Sequence, residues 1–108
     1  MASNKEFVDY VVEQLSLNDE VRARSMFGEY GLYCTNKFFG SVCDNRLFFK
    51  PTAAGREFIG TPTEAPPYPG AKNSFLIEEK IEDREWLAEL LRLTVAELPE
   101  PKPRKKKN

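Results

Sequence analysis

Between Val21 and Lys50 the chain alternates with a period of two, and twice it interrupts itself with a pair of residues suited to a tight turn. Val21, Ala23 and Ser25 alternate with Arg22, Arg24 and Met26, the pattern of a half-buried strand. Two hairpins follow. The first turns at Thr35-Asn36, between EYGLYC and KFFGSVC, and the second at Asp44-Asn45, between GSVC and RLFFK. Asn and Asp tolerate the positive φ that two-residue hairpin turns demand. The pattern predicts a four-stranded antiparallel meander over residues 21–50.

Helical spacing brackets this meander. Phe7, Val8, Val11, Val12 and Leu15 form an apolar stripe over residues 3–16, with Ser3 and Glu6 at capping-box spacing. Pro51 ends the meander. Thr52 is placed to cap a short helix over residues 53–59, stopped by Gly60. A proline-rich loop, TPTEAPPYPGAKN, precedes a last strand over residues 74–79. Asp83 then caps a helix whose stripe is Leu87, Leu90, Leu91, Thr94 and Leu98, with Trp86 beside it and Pro99 as its end. The order α-β-β-β-β-α-β-α predicts a two-layer α+β domain, with an antiparallel sheet of about five strands and helices at both chain ends. The folded domain is expected over residues 1–98, with 99–108 as a disordered basic tail.

Register assigns the two faces of the sheet. A two-residue turn at Thr35-Asn36 sets Gly31 opposite Gly40, a smooth patch bordered by Tyr33, Phe38 and Val42, where a helix can approach. Leu47 and Phe49 extend that face, and Gly28 marks a bend or bulge. Tyr30, Leu32, Phe39 and Phe48 then fall on the opposite face. Left bare, they form an interface for a protein partner or a weak homodimer; alternatively, the proline-rich loop lies over them. Cys43 faces Arg46 in this register, so Cys34 and Cys43 are expected to be reduced and unbridged.

The chain has no histidine and only two cysteines. That removes Ser-His and Cys-His nucleophile pairs, imidazole metal sites and a four-ligand structural zinc site. A small enzyme is therefore the least favoured class, and no cofactor or metal is expected. No apolar run approaches the roughly 20 residues of a membrane helix, and the amino terminus lacks a signal-peptide layout, which makes the cytoplasm the expected location.

Charge divides unevenly. Residues 99–108 hold five basic residues and one acid, a net +4, while the other 98 hold eleven basic and sixteen acidic, a net −5. Lys102, Arg104, Lys105, Lys106 and Lys107 can neutralise phosphates, which predicts at most weak, salt-sensitive nucleic-acid binding, since an acidic body repels the same phosphates. Arg46, Lys50 and Lys72 are a second, weak basic cluster: Arg46 starts the fourth strand, Lys50 ends it, and Lys50 meets Lys72 at one sheet end if the last strand enters beside the exit of the fourth. Glu29, inside an apolar strand, either is a buried acid with a raised pKa or pairs with Arg22 or Arg24.

RSMFGEYGLY, KFFGSVCDNRLFFKPT, YPGAKNSFLIE and DREWLAELL together resemble the amino-terminal domain of the TfoX/Sxy family. The likeness runs from SNKEFVDYVVEQL to the basic tail. The turns Thr35-Asn36 and Asp44-Asn45 are small departures from the family pattern. The resemblance implies a small α+β domain with an antiparallel sheet, similar to secretion-chaperone-like folds. Two-domain members regulate DNA-uptake competence in bacteria as transcriptional co-activators with the cyclic-AMP receptor protein, but the likeness covers the amino-terminal domain alone. It transfers no catalytic residues. What it implies is a non-catalytic interaction or regulatory module acting through protein contacts, with a nucleic-acid-associated regulator as the alternative.

Overall fold

The computed structural model describes residues 3–99. Three hairpins build its first half: β1 (Val21–Met26), β2 (Glu29–Cys34), β3 (Lys37–Cys43) and β4 (Arg46–Phe49). Each connection is a two-residue turn in which both residues have positive φ: Phe27-Gly28, Thr35-Asn36 and Asp44-Asn45. That is the turn whose twist matches paired strands. Gly28 is thus the second residue of a turn, not a bend within a strand. Two short strands, β5 (Thr63–Ala65) and β6 (Ser74–Ile77), complete a six-stranded antiparallel sheet of order β1-β2-β3-β4-β6-β5. The sheet thus has six strands against the five expected. β5 hides in the proline-rich stretch, where an edge position spares its neighbouring prolines a full ladder of hydrogen bonds.

Helices α1 (Lys5–Leu15), α2 (Ala53–Ile59) and α3 (Arg84–Glu97) share one layer. Asn4, not Ser3, caps α1, its side-chain oxygen accepting from Glu6 N at 2.8 Å. Thr52 caps α2 and Asp83 caps α3, as their spacing predicts. Glu97, in the last turn of α3, also accepts from Ala53 N and Ala54 N, so one helix end satisfies the free donors of another. Those two backbone donors hold its carboxyl below the usual value.

The sheet face under the helices is the core. Leu32, Phe39, Val42, Leu47, Phe49 and Phe75 pack there against Val8, Val11, Leu15, Leu87, Leu90 and Leu91. This overturns the sequence assignment of β2 to the two faces. Tyr33 still faces Phe38, but the next pair is Leu32 with Gly40, so Phe39 is an extra residue on β3. A bulge of this kind shifts the register by one and inverts the alternation of everything beyond it. Leu32 and Phe39 are fully buried, and Tyr30 is half-buried against the same core. None of these three belongs to a bare interface. Phe48 alone stays on the face away from the helices, and it too is buried. Gly40 makes the bulge possible: a β-carbon there would lie 2.2 Å from the Phe48 carbonyl oxygen.

Candidate functional site: the helix-free face of the sheet

With Leu32 in the core, the intervening residues of the meander emerge on the other side. Arg24, Tyr33, Phe38 and Lys50 form a row across it. The Arg24 guanidinium lies 5.7 Å from the Tyr33 ring centroid, the two rings are 5.4 Å apart, and Lys50 Nζ is 5.0 Å from the Phe38 centroid. Gly31 lies beneath this row; a β-carbon there would strike the Met26 methyl at 2.8 Å and Phe38 at 3.0 Å. The glycine therefore makes room for side chains, not for a helix.

Beside the row runs a groove of about 670 Å³. Phe48 and Ser41 belong to its floor. Met26, Phe27 and Cys43 border one end, Phe38 and Lys50 the other, and Pro67, Tyr68, Ala71 and Lys72 of the proline-rich loop form a wall. The loop thus borders the helix-free face without closing it, and Tyr68 remains 61% exposed.

Phe27 is the anomaly. It is 100% exposed, and its φ is +51°. The left-handed conformation is costly for a bulky side chain, and the favoured sequence for such a turn is Asn-Gly or Asp-Gly. Sequence reasoning passed over Phe27 because an aromatic inside an apolar run reads as strand. Its signal was the glycine that follows, the second half of a turn dipeptide.

Charge is also sorted by face. Arg22, Arg24 and Arg46 alternate with core residues, so they project to the helix-free side, where Lys50 and Lys72 border the groove. Glu29 shares that side. Ten acids and four basic residues lie on α1, residues 78–83 and α3. The ion pairs found among the described residues, Lys5 with Asp9, Arg56 with Glu64 and Arg92 with Glu89, all lie away from the groove. Of the predicted basic cluster, Lys50 and Lys72 both line the groove, whereas Arg46 stands at the opposite end of β4 from Lys50. Lys102, Arg104, Lys105, Lys106 and Lys107 lie outside the described residues.

Glu29 pairs with neither Arg22 nor Arg24. Its carboxylate accepts from Ser3 N at 2.9 Å and Asp44 N at 2.8 Å. Ser3 Oγ accepts from Asn45 N, and Asn45 Oδ1 accepts from Asn4 N. Burial pushes the Glu29 carboxyl up, but the hydrogen bonds from Ser3 and Asp44 outweigh it, and the net shift is downward. Glu29 is a clasp that ties the chain start to the β3–β4 turn. Cys34 and Cys43 are both free and buried, on opposite faces of the sheet, so no bridge can join them. Burial raises both thiol pKa values.

Fold and site together define a small two-layer α+β module, with one sheet face given to the core and the other left as a cationic, aromatic-rimmed groove. The chain belongs to the TfoX N-terminal domain family, whose model matches residues 13–98. Over 107 residues it is also 46% identical to the "Uncharacterized 12.7 kDa protein in trpE 5'region" of Spirochaeta aurantia, an alignment that covers 99% of this chain and 93% of that protein.

Proposed function

We propose that this chain is a non-catalytic regulatory module of the bacterial cytoplasm that docks a protein partner through the helix-free face of its sheet, with Phe27 as the anchor. The observation that carries this reading is Phe27 itself, fully exposed and held at positive φ at the mouth of the groove. A solvated aromatic in a strained conformation contributes nothing to the fold. Buried in a partner, it becomes an aromatic anchor of the kind that dominates interfaces. The absence of histidine supports the non-catalytic part, and family membership and the two reduced cysteines support the cytoplasmic setting.

The test compares wild type with Phe27→Asn as baits in host lysate, with cross-links mapped by mass spectrometry. Asn suits the turn, so Phe27→Asn keeps or raises the melting temperature, by up to about 1 kcal/mol of stability. A partner retained by wild type, cross-linked to the 27–28 turn and the 66–73 loop, and lost in Phe27→Asn supports the reading. A partner held equally by both proteins, or cross-linked only to α1 and α3, refutes it. Light scattering over a concentration series shows whether the partner is a second copy.

A second reading, a nucleic-acid-associated regulator, has its own support. The cations of the helix-free face have no carboxylate partner among the described residues, and Pro99, from which the basic tail departs, shares a hollow with Lys50. On this reading a single-stranded oligonucleotide binds with a steep salt dependence, each lost phosphate contact lowering the log–log slope by about 0.7. Deleting residues 102–108 weakens binding, and Arg24→Gln with Lys50→Gln removes the remainder. No binding at low salt sinks it.

A further inference from the structure

The two ends of the groove differ in charge. Its Phe27 end adjoins the β1–β2 and β3–β4 turns; its Lys50 end adjoins the β2–β3 turn and the start of β6. At the first end the lining acid, Glu29, accepts from Ser3 N and Asp44 N, and Asp44, itself an acid, lies beside it in the β3–β4 turn. At the second, Lys50 and Lys72 both line the groove, Lys50 Nζ lying 5.0 Å from the Phe38 ring centroid, and neither has a carboxylate partner among the described residues. Between them the surface is apolar, floored by Phe48 and walled by Pro67 and Tyr68, with Ser41 as a polar exception. A volume of about 670 Å³ falls inside the roughly 300–1,000 Å³ of small-molecule sites, which pair an apolar lining with a few convergent polar groups.

We propose that this groove is a binding site for a small apolar carboxylate, an alkyl or aryl acid whose body lies on Phe48 and whose carboxylate meets Lys50 and Lys72. The charge pattern selects the sign of the head group, because two cations with no carboxylate partner among the described residues favour an anion and disfavour an amine. The stretch from Arg46 to Lys50 sets the length, about 13 Å at the rise of a strand. This goes beyond the docking of a protein partner and makes the helix-free face responsive to a metabolite of this chemistry.

The full chain is titrated with dodecanoate, dodecanol and dodecylamine, each below its micelle-forming concentration, and followed by calorimetry and amide chemical shifts. Dodecanoate is expected to bind one to one, shifting amides of residues 26–28, 41, 48, 50 and 72 and sparing α1. Dodecanol binds at least tenfold more weakly, and dodecylamine more weakly still. Lys50→Gln with Lys72→Gln, both exposed positions, lowers dodecanoate affinity tenfold or more and leaves dodecanol unchanged. Ser41→Tyr fills the floor and abolishes binding of both. Equal affinities for the three compounds, indifference to the lysine substitutions, or shifts centred on the helices overturn the proposal. So does an acidic apolar peptide that binds more tightly than dodecanoate through the same lysines, which would assign the groove to a protein segment.

Discussion

Glu29 shows how far one side chain can depart from its sequence neighbourhood. A carboxylate in an apolar strand suggests a perturbed acid or a cross-strand ion pair, and both depend on residues nearby in sequence. Its partners are instead Ser3 and Asp44, 26 and 15 positions away. Local spacing marks Ser3 as the cap of α1, but Asn4 takes that role, and the Ser3 hydroxyl instead accepts from Asn45 N, 42 positions away and invisible to local pattern. Glu29→Gln keeps the shape and removes the charge from these bonds. It is expected to cost about 1–2 kcal/mol, toward the low end because the group is partly solvated. The pH dependence has a definite sign. The folded carboxyl lies below its ordinary value, so the unfolded chain binds the proton more readily. Its contribution is full above the ordinary carboxylate range and is lost as pH falls through the folded value. Denaturant melts at about pH 7 and about pH 3 should show a smaller acid loss in Glu29→Gln than in wild type. Equal losses would show that the clasp carries no proton linkage.

Among the elements, the helices and most strands were legible because their signals are local: a 3.6-residue stripe with a cap, a two-residue period with turn dipeptides. α3 follows its predicted stripe, with Leu87, Leu90, Leu91 and Thr94 buried. β5 was missed because three residues among prolines carry no period. The bulge at Phe39 was missed for a deeper reason. KFFG gives no local sign of which phenylalanine is the extra one; the choice is made by the core, which takes Phe39 and sends Phe38 to the other face beside Tyr33. One residue of slip therefore reversed the predicted faces of β2 while β4 remained as expected. Gly40→Ala tests the account. The added β-carbon would meet the Phe48 carbonyl, and backbone cannot swing aside as a side chain can. A loss of about 3 kcal/mol or more is expected in denaturant titration, at the upper end of overpacking effects. Gly70→Ala, where a β-carbon meets nothing within 4 Å, controls for glycine removal in general; its cost is limited to that of its positive φ.

Over the whole molecule, one layer of helices can cover only one face of a sheet, and the sequence puts apolar bulk on both. The covered face takes Leu32, Phe39 and Phe49; the other keeps Phe48 and an aromatic rim beside cations that have no carboxylate partner among the described residues. Lys50 and Lys72 share the groove lining because β6 pairs beside β4. Phe27 was not legible in the sequence, since nothing in an apolar run announces that one member is bare. Phe39→Glu discriminates between the two faces. The Phe39 ring is 0% exposed and lies 5.2 Å from that of Phe49, so a carboxylate there has neither water nor a cation to meet. Burying such a charge unpaired costs several kcal/mol at least, against a total stability of about 5–15 kcal/mol for a domain of this size. Phe39→Glu is therefore expected to lose its cooperative thermal transition by circular dichroism at neutral pH. Tyr68→Ser, on the exposed groove wall, should melt within a few degrees of wild type. A folded, cooperatively melting Phe39→Glu would place that side chain on the solvent side and with it restore the unbulged register.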